Sequence, residues 1–509
     1  MSPHLTFAAF ALIAAFLFHL IPDMPLGTTP DESKKAIFVL KSFQDFSHPI
    51  LLLQVVRIVN FFADHRDLDN IMALGRMVAA IFGGLFVFST MLLASRFMST
   101  AAALCAGILV AAAPLTTVHA QNFKEDIILA PMMLLSFLSL LSLYENRTLR
   151  SALIFGVFAG LTASAKYIGM VVIPLAFMLP LLSKPLSARS YYSKVSISVL
   201  IAVIVFTAVN WNMFLDLAHF ASRFGGEVAK HVSTTGDRGY VASWMRIFTF
   251  YWTKYIVPGL QIPFAIAALA SMLSVVWRWS SCPQPVRLLF AFALLWYGMH
   301  ELSLNTQKAA RHMTMMTGIF AILVVFVIER TIVTASPTKK LAALAILTFC
   351  LAAPAGWRSV QLALSVPHDT IIVTEAAGRY LNGKVIWPEI APGIKRHKEA
   401  YSLQHLAAEG IDKAMEKYDF IVLREPAVDR ILERVSYGNQ PHRVNVSAEF
   451  LSQLRRRTGL LIESEGGWFS YRNVPMRIVT LKGDPQNLAA AMAAVARDYP
   501  VRLTYLPAL

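Results

Sequence analysis

The first part of the chain, residues 1–364, is a succession of long apolar runs broken by short polar links. Crossing a bilayer takes roughly 20 residues of helix at about 1.5 Å each. Runs at about 5–21, 73–94, 101–118, 127–144, 195–215, 256–277, 288–303, 313–328 and 341–356 approach that length. The stretch 151–182 is too long for one crossing and has Lys166 near its middle, so it reads as two spans turning at Ser164-Ala165-Lys166-Tyr167. The pattern predicts a polytopic α-helical membrane protein of about eleven transmembrane helices.

Two polar segments are longer than a turn requires. In 22–72, the stretches 31–46 and 49–63 mix apolar and charged residues at helical spacing, which suits helices lying along the membrane interface. Segment 216–255 carries Trp244, Tyr251, Trp252 and Tyr255, aromatic residues that settle at headgroup level. Residues 5–21 resemble a signal peptide, but Lys and Arg are missing before them and no small-x-small site precedes Pro22-Asp23. We read the run as a retained first span.

Beyond residue 364 the pattern changes. Alternating runs at 370–374, 384–388, 418–425 and 476–481 read as strands, and 403–416 as an amphipathic helix. Residues 365–509 are therefore expected to form a soluble α/β domain after a membrane domain of residues 1–364. No nucleotide-binding glycine loop is visible in it.

Composition agrees with this division. Hydrophobic residues make up 56% and charged residues 15%, with a mean hydropathy of +0.54, where a soluble domain carries about a quarter charged residues. The net charge of +15 lies in short loops and not in one patch, which argues against a nucleic-acid partner and for topology signals and the lipid bilayer. Loops with Arg96; Arg147 and Arg150; Lys184, Arg189 and Lys194; Arg278 and Arg287; and Arg330, Lys339 and Lys340 hold few acids and belong on the cytoplasmic side. Loops 22–72, 119–126 and 216–255 then face out, and an odd number of spans places the tail outside as well. Cys105, Cys282 and Cys350 have no spacing that suggests a disulfide framework or a zinc site.

Ionisable residues at membrane depth are costly and invite a functional reading. Under this topology Asp31, Glu32, His48, Arg76, Lys124, Glu125, Asp126, Lys166, Lys308 and Arg311 all fall near the outward face. A carboxylate among them can take a proton from an acceptor hydroxyl or amine, and the cations can steady the charge growing on a phosphate leaving group. Simpler readings stay open: first-turn acids suit a helix dipole, and Lys or Arg at span ends snorkel.

The order of these motifs resembles a known family. An Asp-Glu pair follows a short first span in TTPDESKK, and His48-Pro49 heads an interfacial helix. Arg76 then lies in LGRMVAAIFGG, and Pro114 leads through His119 to Lys124-Glu125-Asp126. GLTASAKYIGMVVIP and QKAARHMTMMTGIF complete the series. Over about residues 1–330 the chain looks like the GT-C membrane glycosyltransferases, the group of the protein O-mannosyltransferases and the lipid A aminoarabinose transferase.

The resemblance implies a polyprenyl-phosphate-linked sugar donor, a periplasmic acceptor and one inverting displacement at the outer face of a bacterial inner membrane. It implies Asp31 as catalytic base with Glu32 beside it. Asp126, with Glu125, becomes a second carboxylate site that orients the acceptor or a metal. Arg76, Lys166, Lys308 and Arg311 become the donor-phosphate clamp, with His48 and Lys124 in support. The familiar His-Pro-Pro-Leu reads His48-Pro49-Ile50-Leu51 here. Members differ in their use of a divalent metal, so metal use stays open. A secondary transporter or lipid flippase, and a non-catalytic assembly subunit, are the alternatives; neither inverted repeats nor paired broken helices favour the former.

Overall fold

The computed structural model describes residues 2–20, 30–41, 46, 48–182, 188–232, 249, 251–302, 310–332 and 336–364. In the C-terminal part it describes 381, 383–386, 403–425, 428, 432, 442–464, 475–498 and 501–506. The chain divides into two compact units, one of residues 1–21, 34–232 and 248–359, the other of 22–33, 233–247 and 360–509.

The first unit is helical. Its helices are α1 (Pro3–Leu20), α2 (Pro30–Lys41, whose first residues fall in the other unit), α3 (Leu51–Ala63) and α4 (Leu68–Ala94). Then come α5 (Thr100–Ala112), α6 (Pro114–Ala120), α7 (Asp126–Asn146), α8 (Leu149–Ala165), α9 (Val172–Met178), α10 (Ala188–Val209) and α11 (Leu217–Val232). After residue 250 come α12 (Val257–Leu260), α13 (Ile262–Trp277), α14 (Gln284–Leu302), α15 (Thr314–Thr331) and α16 (Pro337–Leu364).

Six of these are long and apolar enough to cross a membrane, or eight if each bent pair counts once. One bent pair is α5 with α6, broken at Pro114 and bent by 64°; the other joins 252–260 to α13 at 113°. The remaining predicted segments, α8, residues 167–178 and α14, are helical as well but do not meet that measure alone. Burial sorts centre from rim. The apolar windows of α7 and α15 are each 83% buried, whereas those of α10 and α16 are 17% buried. Their outward Leu200, Val203, Ile204, Ile346 and Phe349 stand exposed, as lipid-facing side chains do in a multi-pass membrane protein.

Close helix contacts hold the α7–α8–α10 layer. Ser136 and Thr162 are hydrogen-bonded at 2.7 Å between α7 and α8. On α8, a Cβ at Gly156 would lie 2.6 Å from the Ser198 carbonyl oxygen of α10, so the two backbones meet where only glycine fits. Gly156→Leu is therefore expected to cost about 1–3 kcal/mol through overpacking, read as a lower apparent unfolding temperature in detergent. An unchanged temperature would mean that α10 gives way freely.

The second unit contains a five-stranded sheet of order β1-β2-β4-β3-β5. Its strands are β1 (Val385–Ile386), β2 (Phe420–Arg424), β3 (Gly459–Ser464), β4 (Met476–Thr480) and β5 (Val501–Leu506). β1 and β2 are parallel, while β2–β4, β4–β3 and β3–β5 are antiparallel. Side chains alternate between faces, so Phe420, Val422 and Ile478 pack with Leu488, while Ile421, Leu423 and Val479 pack with Leu406 and Leu454. Three predicted runs hold β1, β2 and β4; the run 370–374 lies outside the described residues. The predicted helix 403–416 is two short helices divided at Gly410, whose φ of +88° suits glycine.

Candidate functional site

Helix α8 stops at Ala165 because Lys166 takes an extended conformation, φ −160° and ψ 139°, before a tight 3₁₀ turn at Tyr167–Val171. This break, foreseen from the charge inside an apolar run, presents Lys166 to the start of α7. Its Nζ donates to Asp126 Oδ1 at 2.8 Å. The other oxygen, Oδ2, is 3.9 Å from Nε of Arg311, carried on the 3₁₀ turn Ala310–Met313 before α15. As the first residue of α7, Asp126 also faces the positive end of the helix dipole. Residues 40 and 185 positions away thus meet on one carboxylate.

Glu125 makes a separate pair. Lys35 of α2 donates to its Oε2 at 2.7 Å and to the Phe123 carbonyl at 3.2 Å. Burial works to raise the Glu125 pKa, but the Lys35 ammonium prevails and holds it below the usual carboxylate range. Lys35, the last residue of TTPDESKK, is not among the residues singled out in the sequence.

The connection between α6 and α7 is packed hard. Gln121, Asn122, Phe123 and Lys124 are all buried, and a Cβ at Gly75 would fall 2.4 Å from the Phe123 ring. The next residue, Arg76, is buried within α4 at 3% exposure. Lys124 at 4% is likewise inside the protein, and its charge, with those of Asp126, Arg311 and Lys166, acts on His119.

His48 is exposed yet crowded by protein, so that burial lowers its pKa, against an opposite pull from Glu125; Lys166, Lys35 and Asp126 act on it too. Its loop is anchored on both flanks: the Tyr167 hydroxyl donates to the Phe46 carbonyl at 3.0 Å, and the Ile50 amide donates to Asn210 Oδ1 at 3.1 Å. His48 therefore belongs to the same neighbourhood without the second proline.

Asp31, Glu32 and Lys308 complete the predicted set. Glu32 is fully buried on α2 but belongs to the second unit, as does Asp31. The side chain of Asp31 and the whole of Lys308 lie outside the described residues. Among the described residues, no group of three or more His, Cys, Asp or Glu side chains is placed to hold a metal ion.

Next to Arg311, a feature the sequence reading did not bring out steadies its turn. The Tyr251 hydroxyl and His312 Nδ1 are 2.7 Å apart, Trp296 Nε1 donates to the His312 carbonyl at 2.9 Å, and the Thr314 hydroxyl donates to the Arg311 carbonyl at 3.0 Å. Tyr251 had been read as a headgroup-level aromatic; in the structure it is 1% exposed.

Buried carboxylates are tolerable only when paired, and both acids at the start of α7 are. Glu125 is matched by Lys35, and Asp126 by Lys166 and Arg311; Lys124 next to them and Arg76 on α4 are buried as well. Exposure is graded as well: the Asp126 side chain is 4% exposed, those of Lys166 and Arg311 18% and 24%. The cations form the open edge and the acid lies beneath. Such an edge can accept an anion without first breaking the pairs below it.

Residues 68–211 match the family model described as dolichyl-phosphate-mannose-protein mannosyltransferase. Among solved structures, the archaeal oligosaccharyltransferase AglB from Archaeoglobus fulgidus, in complex with an inhibitory peptide and a dolichol-phosphate, is 12% identical. It matches with a TM-score of 0.59 over 92% of this chain and 74% of its own. An Archaeoglobus fulgidus oligosaccharyltransferase tethered by a disulfide bond to an acceptor peptide containing the NVT sequon gives 0.54 at 12% identity over 92% and 74%. ArnT from Cupriavidus metallidurans bound to undecaprenyl phosphate gives 0.50 at 14% identity over 88% and 74%. No curated protein matches by sequence. The order of motifs, the helical architecture and these likenesses agree on one identification: the chain has the GT-C fold of the membrane glycosyltransferases.

Proposed function

We propose that the protein is an integral membrane glycosyltransferase that moves a sugar from a polyprenyl-phosphate donor to a periplasmic acceptor by a single inverting displacement. The observation that carries this reading is the cationic edge of Lys166 and Arg311 above the buried Asp126. In such a transfer the bond from the sugar's anomeric carbon to the phosphate oxygen breaks as the acceptor oxygen or nitrogen bonds to that carbon. The departing lipid phosphate gains negative charge, which preorganised cations stabilise.

The proposed roles rest on the geometry of the cluster for Lys166, Arg311 and Asp126, and on the family resemblance for Asp31, Glu32 and Lys308. Lys166 and Arg311 hold the donor phosphate, with Arg76 and Lys308 as further members of the clamp. Asp126 orients the two cations; with both its oxygens engaged it is poorly placed to take a proton. Glu125 and Lys35 fix α2 against the start of α7. Asp31, one helical turn before Lys35 on α2, is the catalytic base, supported by Glu32. His48, beside the cluster, and Lys124 support acceptor binding. The site faces the periplasm of an inner membrane, as does the C-terminal unit.

The test is transfer in proteoliposomes from a radiolabelled polyprenyl-phosphate sugar supplied with periplasmic extract as acceptor. The expected result is loss of label from the lipid phosphate with its appearance on an acceptor, only with active protein. Label that crosses the membrane still attached to its lipid would identify a flippase and overturn the proposal. Label that stays in place with every acceptor fraction would overturn it too.

A further inference from the structure

A second feature of the membrane unit lies at the opposite end of the same helices. Asp126 and Lys166 occupy the N-terminus of α7 and the C-terminus of α8; the other ends of both helices, with the last turns of α4, enclose a groove of about 700 Å³. Phe88, Leu92, Leu135, Leu138, Ile154 and Phe158 give it apolar walls.

The groove has the dimensions of a lipid leaflet. From Leu135 to Asn146 along α7 it runs about 16 Å, against about 15 Å for half of a hydrocarbon core. Three serines lie along it, yet none offers an unmet polar group to an apolar guest. Ser139 Oγ donates to the Ser136 carbonyl at 2.9 Å and Ser142 Oγ to Leu138 at 3.2 Å, while Ser151 is tied to Thr148 in a capping box. The interior therefore presents the character of hydrocarbon.

Its mouth is polar and positive. Asn146, Thr148 and Arg150 line it, and Arg147 follows α7 directly. The only nearby acid in this stretch, Glu145, is paired with Arg96, so its charge does not offset Arg147 and Arg150. A tail entering from the bilayer exchanges one hydrocarbon environment for another and gains little by it. Selection between lipids thus falls to the headgroup, and the charge at the mouth favours an anion.

We infer that this groove is a site for an anionic glycerophospholipid, one acyl chain lying between α4, α7 and α8 and its phosphate headgroup resting at Arg150. The site is separate from the cationic edge around Asp126 and does not depend on the transferase reading. Because its walls are the far halves of α7 and α8, the bound lipid also splints the two helices that bring Asp126 and Lys166 together.

The experiment uses the full chain in detergent, offered equal amounts of phosphatidylglycerol and phosphatidylcholine with identical acyl chains, with retained lipid counted by native mass spectrometry. Wild type is expected to retain phosphatidylglycerol about fivefold over phosphatidylcholine for the charge of one Arg. Arg150→Gln, an exposed change that spares the fold, is expected to abolish that preference. Ser142→Phe, which fills the groove, is expected to abolish retention of both; if this variant does not fold, the Arg150 comparison decides. Equal retention of the two lipids by wild type overturns the inference, as does an undiminished preference in Arg150→Gln. Displacement of phosphatidylglycerol by equimolar undecaprenyl phosphate would overturn it in favour of an isoprenoid guest.

Discussion

Lys166→Met is expected to destabilise the membrane unit by up to about 3 kcal/mol, because it strands Asp126. Removing one member of a buried ion pair costs about 3–5 kcal/mol, since the remaining charge is left desolvated. The Asp126 side chain is only 4% exposed and its nearest cation is Lys166 at 2.8 Å. Two features soften the loss: Arg311 remains 3.9 Å away, and Lys166 itself is 18% exposed. The second substitution reveals more than the first. Asp126→Asn added to Lys166→Met removes the stranded charge, so the double variant should recover much of the stability lost by the single one, a coupling a double-mutant cycle reads directly. If Lys166 clamps the donor phosphate as proposed, sugar transfer should recover none of its rate, because that cation is still missing. Measured together, unfolding temperature and turnover separate a pair kept for stability from a pair kept for chemistry. If activity returned along with stability in the double variant, Lys166 would be a structural tether and the phosphate clamp would lose its central member.

What the sequence disclosed about this site, and what it withheld, follows from how each residue shows itself. Lys166 was visible because a charge inside a long apolar run must do something, and a helix break with an ion pair is what it does. Glu125 and Asp126 were visible because they open a span. Lys35 was not: two lysines after two acids at the head of a polar helix look like ordinary solvated charge, and nothing local announces an acid 90 residues away. The Tyr251–His312 contact was hidden in the same manner, across 61 residues. Long-range pairing depends on how helices pack, and hydropathy encodes only which face each helix buries. The sheet shows the same divide. β2 and β4, buried on both faces, stand out as apolar runs, whereas β5 at the sheet edge alternates half-exposed Val501, Leu503 and Tyr505 with polar residues. That edge pattern is weaker than the long apolar signal of a span.

Asp31→Asn is expected to lower the turnover of sugar transfer by about 10²–10⁴-fold, the usual worth of a general base. Asparagine keeps the size and hydrogen-bonding reach of the carboxylate but cannot take a proton from the acceptor. Donor binding should change little, because the proposed phosphate clamp of Lys166 and Arg311 is left alone by the substitution. The loss should thus fall on kcat and spare the donor KM, the pattern of an interaction used only in the transition state. Glu32→Gln provides the internal comparison. Asp31 and Glu32 are adjacent on α2, and neighbours on a helix point about 100° apart, so at most one of them can face the acceptor. A full loss in Glu32→Gln with normal turnover in Asp31→Asn would move the base by one residue and leave the rest of the mechanism standing. Normal turnover in both would remove α2 from the chemistry. Asp126→Asn should behave differently from either: with its two oxygens given to Lys166 and Arg311, its loss disorders the clamp, raises the donor KM and lowers kcat together. The distribution of effects between KM and kcat across the three acids is therefore the measurement that tells a proton acceptor from a residue that holds the phosphate's partners in place.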